Sequence, residues 1–316
     1  MRRAFRAIFV ASFLLPACGV SRVLPRTAAQ SHAPVDLLVV APHPDDEVLM
    51  AGGAIAKAVR DGEKVSVVVV TNGDYTWKRN GYEREAETVR ALALLGVGEE
   101  NITFLGYPDG YLGKLGEAPL GLVMRRGEDG GFNLGDTTYA NRGAARVDEH
   151  MARTGEHARY TSANLTSDLA AVLDRTSPRR VIVSHPNDGH RDHAMTYEFF
   201  RRAFDQSHLE RVEVLRAFVH VGPCWPNGAS MTEPCPAVTP MPDTPMPDLP
   251  PAKRELLTSP VRIPIGDVSN RDDRDLKMRA IGEYRSQFDR GPNEDWLMMF
   301  ARSDELFSRE IVEKRP

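Results

Sequence analysis

Two short stretches concentrate the residues able to do chemistry. Pro42-His43-Pro44-Asp45-Asp46-Glu47 and His185-Pro186-Asn187-Asp188-Gly189-His190-Arg191-Asp192-His193 together hold four of the nine His and four Asp. Imidazole nitrogen and carboxylate oxygen are the ligands that Zn²⁺ or Fe²⁺ accept when thiolates are absent. Thiolates are scarce, since the chain has three Cys. So dense a cluster of both ligand types is poorly explained as surface polarity.

The elements around these stretches would bring them together. Each follows an apolar, β-rich run: Val35–Ala41 before the first and Arg180–Ser184 before the second. Val65–Thr71 is a further run with no wide polar face, as expected of a parallel strand covered on both sides. Helices are predicted at Glu47–Arg60, Tyr82–Leu95, Ser162–Arg175, His193–Phe204 and Arg271–Phe288, with Gly62 and Gly96 closing the first two. A short strand is predicted at Ile102–Leu105 and a long one at Arg211–His220. This alternation gives an α/β fold: a Rossmann-like, doubly wound, mainly parallel sheet with helices on both faces and long loop insertions. Ligands bind beyond the carboxyl ends of such strands, which is where both stretches fall. No G-x-G-x-x-G follows the first strand, so a dinucleotide is disfavoured.

Length and composition narrow the classes further. The 316 residues fit one domain, 34–316, interrupted by a Pro-rich insertion at 221–251 and a second long insertion at 113–160. The formal charge of −4 offers no basic excess for a phosphate backbone, so nucleic acid is an unlikely partner. After the first segment no apolar run reaches the roughly 20 residues of a membrane span.

The N-terminus reads as an address. Arg2, Arg3 and Arg6 precede the apolar stretch Ala7–Leu15, the layout of a secretory signal over 1–17. Leu15-Pro16-Ala17-Cys18-Gly19 resembles a bacterial lipobox, so Cys18 would be lipidated and 18–33 would be a tether. The expectation is an exported bacterial protein, a periplasmic or cell-envelope lipoprotein whose only membrane contact is that anchor. In an oxidising compartment Cys224 and Cys235 would pair as a disulfide.

Pro-His-Pro-Asp-Asp-Glu after the first strand, with Gly-His-Arg-Asp-His after a later one, resembles the PIG-L (LmbE-like) family of zinc-dependent N-acetylglucosaminyl deacetylases. Thr71-Asn72-Gly73-Asp74 is similar to its second-strand turn. Arg84, Glu87, Ala91, Leu95 and Gly96 are similar to its R-x-x-E-x-x-x-A-x-x-x-L-G helix, and Leu105–Gly110 to its third-strand turn. The likeness covers about 35–200 closely and Lys277–Gln287 loosely.

The resemblance implies roles. His43, Asp46 and His193 would hold the metal, Zn²⁺ or another divalent ion such as Fe²⁺. Asp45 would be the general base. His190 would stabilise the oxyanion or protonate the leaving amine, with Asp192 holding its ring and favouring the charged form. Arg84 and Asp109 would lie near the sugar. The implied activity is hydrolysis of an N-acetyl group on an amino-sugar glycan or glycoconjugate, releasing acetate and a free amine.

Two other classes stay open: a non-haem Fe(II) oxygenase, which also uses two His and one carboxylate, and a glycan-binding protein of the same fold without catalysis. Single residues have plainer readings too. Glu47 serves either as a helix N-terminal acid or as support for the metal site. His185 and Asp188 read as packing and turn residues, Gly52 and Gly53 as allowing close helix–strand approach, and His150, His157, His208 and His220 as surface or packing residues.

Overall fold

Alternate side chains of strand β1 (Leu37–Ala41) serve two different cores. Leu37, Val39 and Ala41 pack on one face of the sheet, Leu38 and Val40 on the other. The same division runs through β2 (Val65–Thr71), with Val65, Val67 and Val69 opposite Val68 and Val70. Neither strand has a polar face because neither has a face toward water. The computed structural model describes residues 34–126, 131–222, 225–226, 241–265, 272–288 and 296–314. Cys18, Cys224 and Cys235 lie outside the described residues, as do the proposed leader and tether.

In chain order the elements are β1, α1 (Asp46–Arg60), β2, α2 (Lys78–Leu94), β3 (Ile102–Tyr107), α3 (Leu112–Glu117), the hairpin β4 (Val123–Arg126) and β5 (Phe132–Gly135), and α4 (Glu149–Thr154). Next come α5 (Ser162–Thr176), β6 (Arg180–Ser184), α6 (Arg191–Gln206), β7 (Arg211–Ala217), β8 (Pro260–Pro264), α7 (Asp272–Ile281), α8 (Arg285–Phe288) and β9 (Asp304–Glu313). The main sheet has the order β3-β2-β1-β6-β7-β9-β8. Pairing is parallel from β3 through β7 and antiparallel where β9 joins β7 and β8. The fold is therefore the expected mixed α/β one, a mainly parallel sheet flanked by helices.

The chain winds outward in one direction from β1 and in the other from β6, and these two strands are neighbours. Their carboxyl ends form the switch point where ligands bind in open α/β sheets. Both polar stretches leave the sheet there.

Three expectations need correction. The late helix is two pieces, broken where Gly282 and Glu283 turn, and Tyr284 at the break is fully buried. The strand expected to reach His220 ends at Ala217. Strands β8 and β9 are additional. The charged composition of β9 masks it, because Glu305 is buried against Lys277 at 2.6 Å instead of facing water. That pair grips the body of α1: Glu305 accepts the Gly53 and Ala54 N–H groups at 2.8 and 2.9 Å, and Lys277 Nζ donates to the Leu49 carbonyl at 3.1 Å. A Cβ at Gly53 would stand 2.2 Å from Ile265 Cγ1, so the close approach requires glycine.

Candidate active site

Asp45 is the N-cap of α1 and has φ 131°, in a region that costs a non-glycine residue about 1–3 kcal/mol. That backbone sends Asp45 and Asp46 in different directions. Asp46, in the first helical turn, points at the two histidines: its Oδ2 lies 2.9 Å from His43 Nδ1 and 3.1 Å from His193 Nε2. Asp45 is instead held by Arg84, whose Nη2 donates to its Oδ2 at 2.8 Å.

The second stretch is placed by α6. His190 is the N-cap, and its Nδ1 accepts the Asp192 N–H at 3.3 Å. Asp192 and His193 fall in the first turn, so α6 begins two residues before its expected start. The His43 and His190 ring centroids are 4.9 Å apart, and those of His190 and His193 5.0 Å. The structure thus brings together all eight of His43, Asp45, Asp46, Arg84, Asp109, His190, Asp192 and His193.

The donors meet the requirements of a metal ion. Ligand atoms on a tetrahedral ion with bonds of about 2.0 Å stand about 3.3 Å apart, close to the spacings around Asp46 Oδ2. His193 is fully buried, yet neither of its ring nitrogens has a hydrogen-bond partner among the described residues. Its Nε2 approaches Asp46 without hydrogen-bond geometry, as two ligands of one ion do. The far nitrogens have carboxylates beyond them: Asp109 Oδ1 is 3.1 Å from His43 Nε2, and Asp188 Oδ1 is 3.6 Å from His193 Nδ1. Carboxylates so placed orient metal-bound imidazoles. Two other donor groups have ligand atoms all within 4.8 Å of one another, His43 with His190 and His193, and His43 with Asp109 and Asp192. In these groups His190 Nδ1 is occupied by its cap bond, and Asp192 accepts the Gly110 and Leu112 N–H groups at 2.7 and 3.0 Å. Asp46 is the carboxylate whose Oδ2 lies within 3.1 Å of ring nitrogens on both His43 and His193.

The charge balance favours a cation as well. Burial opposes protonation of His43, but Asp109, Asp192 and Asp46 outweigh it and raise its pKa well above the usual imidazole range. Burial pushes Asp45 up to about 7, with Asp46 and Glu47 adding to the rise and Arg84 and His43 opposing it. Burial, together with the His43 and His193 rings, lowers the pKa of His190.

Two expectations change here. Asp192 does not hold the His190 ring through its carboxylate; that carboxylate faces the 110–112 loop and His43 at 3.4 Å, and only the Asp192 backbone N–H reaches His190. The Asp192 charge still favours the protonated His190 ring, but burial and the His43 and His193 rings outweigh it and lower the pKa. Asp188 is more than a turn residue: its Oδ1 accepts the His190 N–H at 2.9 Å, and its Oδ2 accepts those of Val219 and His220 at 2.7 and 3.0 Å. Glu47 is a clamp, accepting the Asp45 N–H at 3.0 Å and the Tyr284 hydroxyl. His185 stacks on Phe218 with centroids 4.0 Å apart, a packing role. Arg84 also donates to the Gly73 and Pro44 carbonyls at 3.1 and 2.6 Å, and Asp109 lies 3.6 Å from it.

The site opens into a cleft of about 300 Å³. Its lining includes His220, Gln287 and Trp296, none singled out by the sequence as site residues. For His220 one signal existed: it lies just past the strand beside β6, and so at the same sheet edge.

The PIG-L (GlcNAc-PI de-N-acetylase) family model matches residues 38–204. A 1D-myo-inositol 2-acetamido-2-deoxy-α-D-glucopyranoside deacetylase from Saccharomonospora viridis is 30% identical over 270 residues, covering 81% of this chain and 87% of the relative. The enzyme of the same name from Mycobacterium sp. (strain KMS) is 33% identical over 188 residues, covering 54% of this chain, and the match spans only half the length of that relative. The zinc-inhibited form of teicoplanin deacetylase Orf2 shares the fold, with a TM-score of 0.51 at 17% identity over 88% of this chain and 98% of that one. These relatives contradict the placement as an exported cell-envelope lipoprotein.

Proposed function

The chain belongs to the PIG-L family, and from that premise we propose that it is a metal-dependent hydrolase that removes the N-acetyl group from an amino sugar, releasing acetate and a free amine. One observation carries the reading: Asp46 Oδ2 lies within 3.1 Å of donor nitrogens on both His43 and His193, with Asp45 beside it but turned away to Arg84. His43, Asp46 and His193 would hold the ion, with Zn²⁺ as the first candidate and Fe²⁺ compatible with the same donors. When bound, the ion supplies Lewis acidity, polarising the amide carbonyl and making water a nucleophile near neutral pH.

The remaining steps belong to the chain's own residues. Asp45, with its pKa pushed up to about 7, is matched to accept the proton of the attacking water. Arg84 fixes one oxygen of Asp45, which leaves the other for the water. His190 accepts its cap bond at Nδ1, so in the neutral ring the proton sits on Nε2. That N–H can donate to the carbonyl oxygen as negative charge develops there, usually the largest catalytic term in acyl transfer. Asp109 lines the cleft and holds His43 and Arg84, within reach of the sugar.

The test is acetate release across N-acetylated amino sugars, with and without a chelator, from wild type and Asp45→Asn. Release should be lost on chelation and should fall by about 10²–10⁴ in the variant. Activity untouched by both treatments would refute the mechanism.

A further inference from the structure

The reacting groups of the cleft all come from the segment that the family model matches. His43, Asp45, Asp46, Arg84, Asp109 and His190 form its polar floor. Apart from Leu49, the rest of the lining, His220, Gln287, Trp296 and Leu297, comes from chain beyond residue 204. The scissile amide must sit on the floor, so the part of the substrate that does not react must lie along this second wall.

The wall is prepared in advance. Trp296 stacks on His220 with centroids 5.1 Å apart and planes 14° from parallel, and meets Phe300 edge-on, also at 5.1 Å. Its Nε1–H donates to the Trp225 carbonyl at 3.0 Å. His220 is in turn tied to the metal-binding loop: its N–H donates to Asp188 Oδ2 at 3.0 Å, and its carbonyl accepts the Gly189 N–H at 2.6 Å. A wall fixed to the catalytic loop loses little freedom on binding and sets its distance to the reacting amide.

Its chemistry selects a class of ligand. Among the described residues the wall carries two aromatic rings, one aliphatic side chain and the Gln287 amide; residues 289–295, between Gln287 and Trp296, lie outside the described residues. Aromatic surface beside a neutral amide suits a ring with a C–H surface and hydroxyl groups.

We infer that Trp296, braced by His220, is the specificity-determining wall that packs against the pyranose ring of a neutral amino sugar, with Gln287 as hydrogen-bonding partner to its hydroxyls. This rests on the deacetylase reading for the position of the amide. It goes beyond that reading by assigning recognition to residues outside the matched segment.

The test uses N-acetylglucosamine, its 6-phosphate and N-methylacetamide as probes of wild type, Trp296→Ala and Trp296→Phe, each checked for an unchanged melting temperature. Trp296→Ala should raise KM for N-acetylglucosamine about tenfold while changing kcat less than about threefold. Trp296→Phe should recover most of the loss. Turnover of N-methylacetamide, which has no ring, should be the same in all three proteins, and the 6-phosphate should be the poorer sugar. An unchanged KM, an equal loss on N-methylacetamide, or a preference for the 6-phosphate would overturn the inference. Should wild type release acetate from no probe, the deacetylase reading falls, and binding still decides the wall. N-acetylglucosamine should change the tryptophan fluorescence of wild type and bind about tenfold more weakly to Trp296→Ala by calorimetry. Equal binding to both would refute the wall by itself.

Discussion

Tyr284 donates its hydroxyl to Glu47 across 237 residues of chain, and Glu47 gives its other oxygen to the Asp45 N–H. Asp45 is the residue with φ 131°, so a contact from the far end of the protein holds the strained turn that aims the proposed base. Removing the hydroxyl leaves a buried Glu47 oxygen without its donor. Tyr284→Phe should therefore lose about 1–3 kcal/mol of stability in a denaturant titration. Its kcat should fall while bound metal stays at the wild-type level. A variant as stable and active as wild type would show that the strained turn stands without this clamp.

Asp45 stands beside the proposed ligands and is held by Arg84. Asp45→Asn keeps the shape and should leave metal content unchanged by elemental analysis, while kcat drops about 10²–10⁴. Loss of the ion in this variant would instead make Asp45 a ligand.

Metal binding should also be visible in stability. An ion present at 100 times its dissociation constant stabilises the fold by about 2.7 kcal/mol. Wild type should melt lower after chelation and recover when Zn²⁺ is restored. His193→Ala should show neither change. A chelator response that survives in His193→Ala would move the site elsewhere.

Glu85, which does not line the cleft, predicts a pH effect. Glu85 is fully buried, accepts the Asn141 N–H at 3.0 Å through one oxygen, and its other oxygen has no partner among the described residues. Burial raises its pKa from 4.5 to about 8. Between those values the folded protein holds a proton that the unfolded chain has released, so Glu85 makes stability fall as pH rises from about 4.5 to 8. Glu85→Gln should flatten that part of the profile and be more stable than wild type at pH 8, on the order of a few kcal/mol. A variant with the wild-type slope would place the titration on another group.

Much of the architecture was legible because its signals are local. Val-rich runs bounded by Gly and Pro gave β1, β2 and β6 within two residues, since strands buried on both faces have few polar positions to blur them. Strands β8 and β9 were not legible: their charges are neutralised by partners distant in sequence, as Glu305 is by Lys277.

The sequence by itself determined which residues could meet at the reactive edge. Two polar stretches each leave a buried strand at its carboxyl end, and parallel strands present those ends on one side of the sheet. Tertiary structure alone decided how those residues are aimed and what encloses them. Tyr284 and Glu47, His220 and Asp188, and Trp296 and Trp225 are bonded across 237, 32 and 71 residues, and no periodicity encodes pairings of that kind. They depend on where the closed chain brings buried polar groups that must find partners once water is gone.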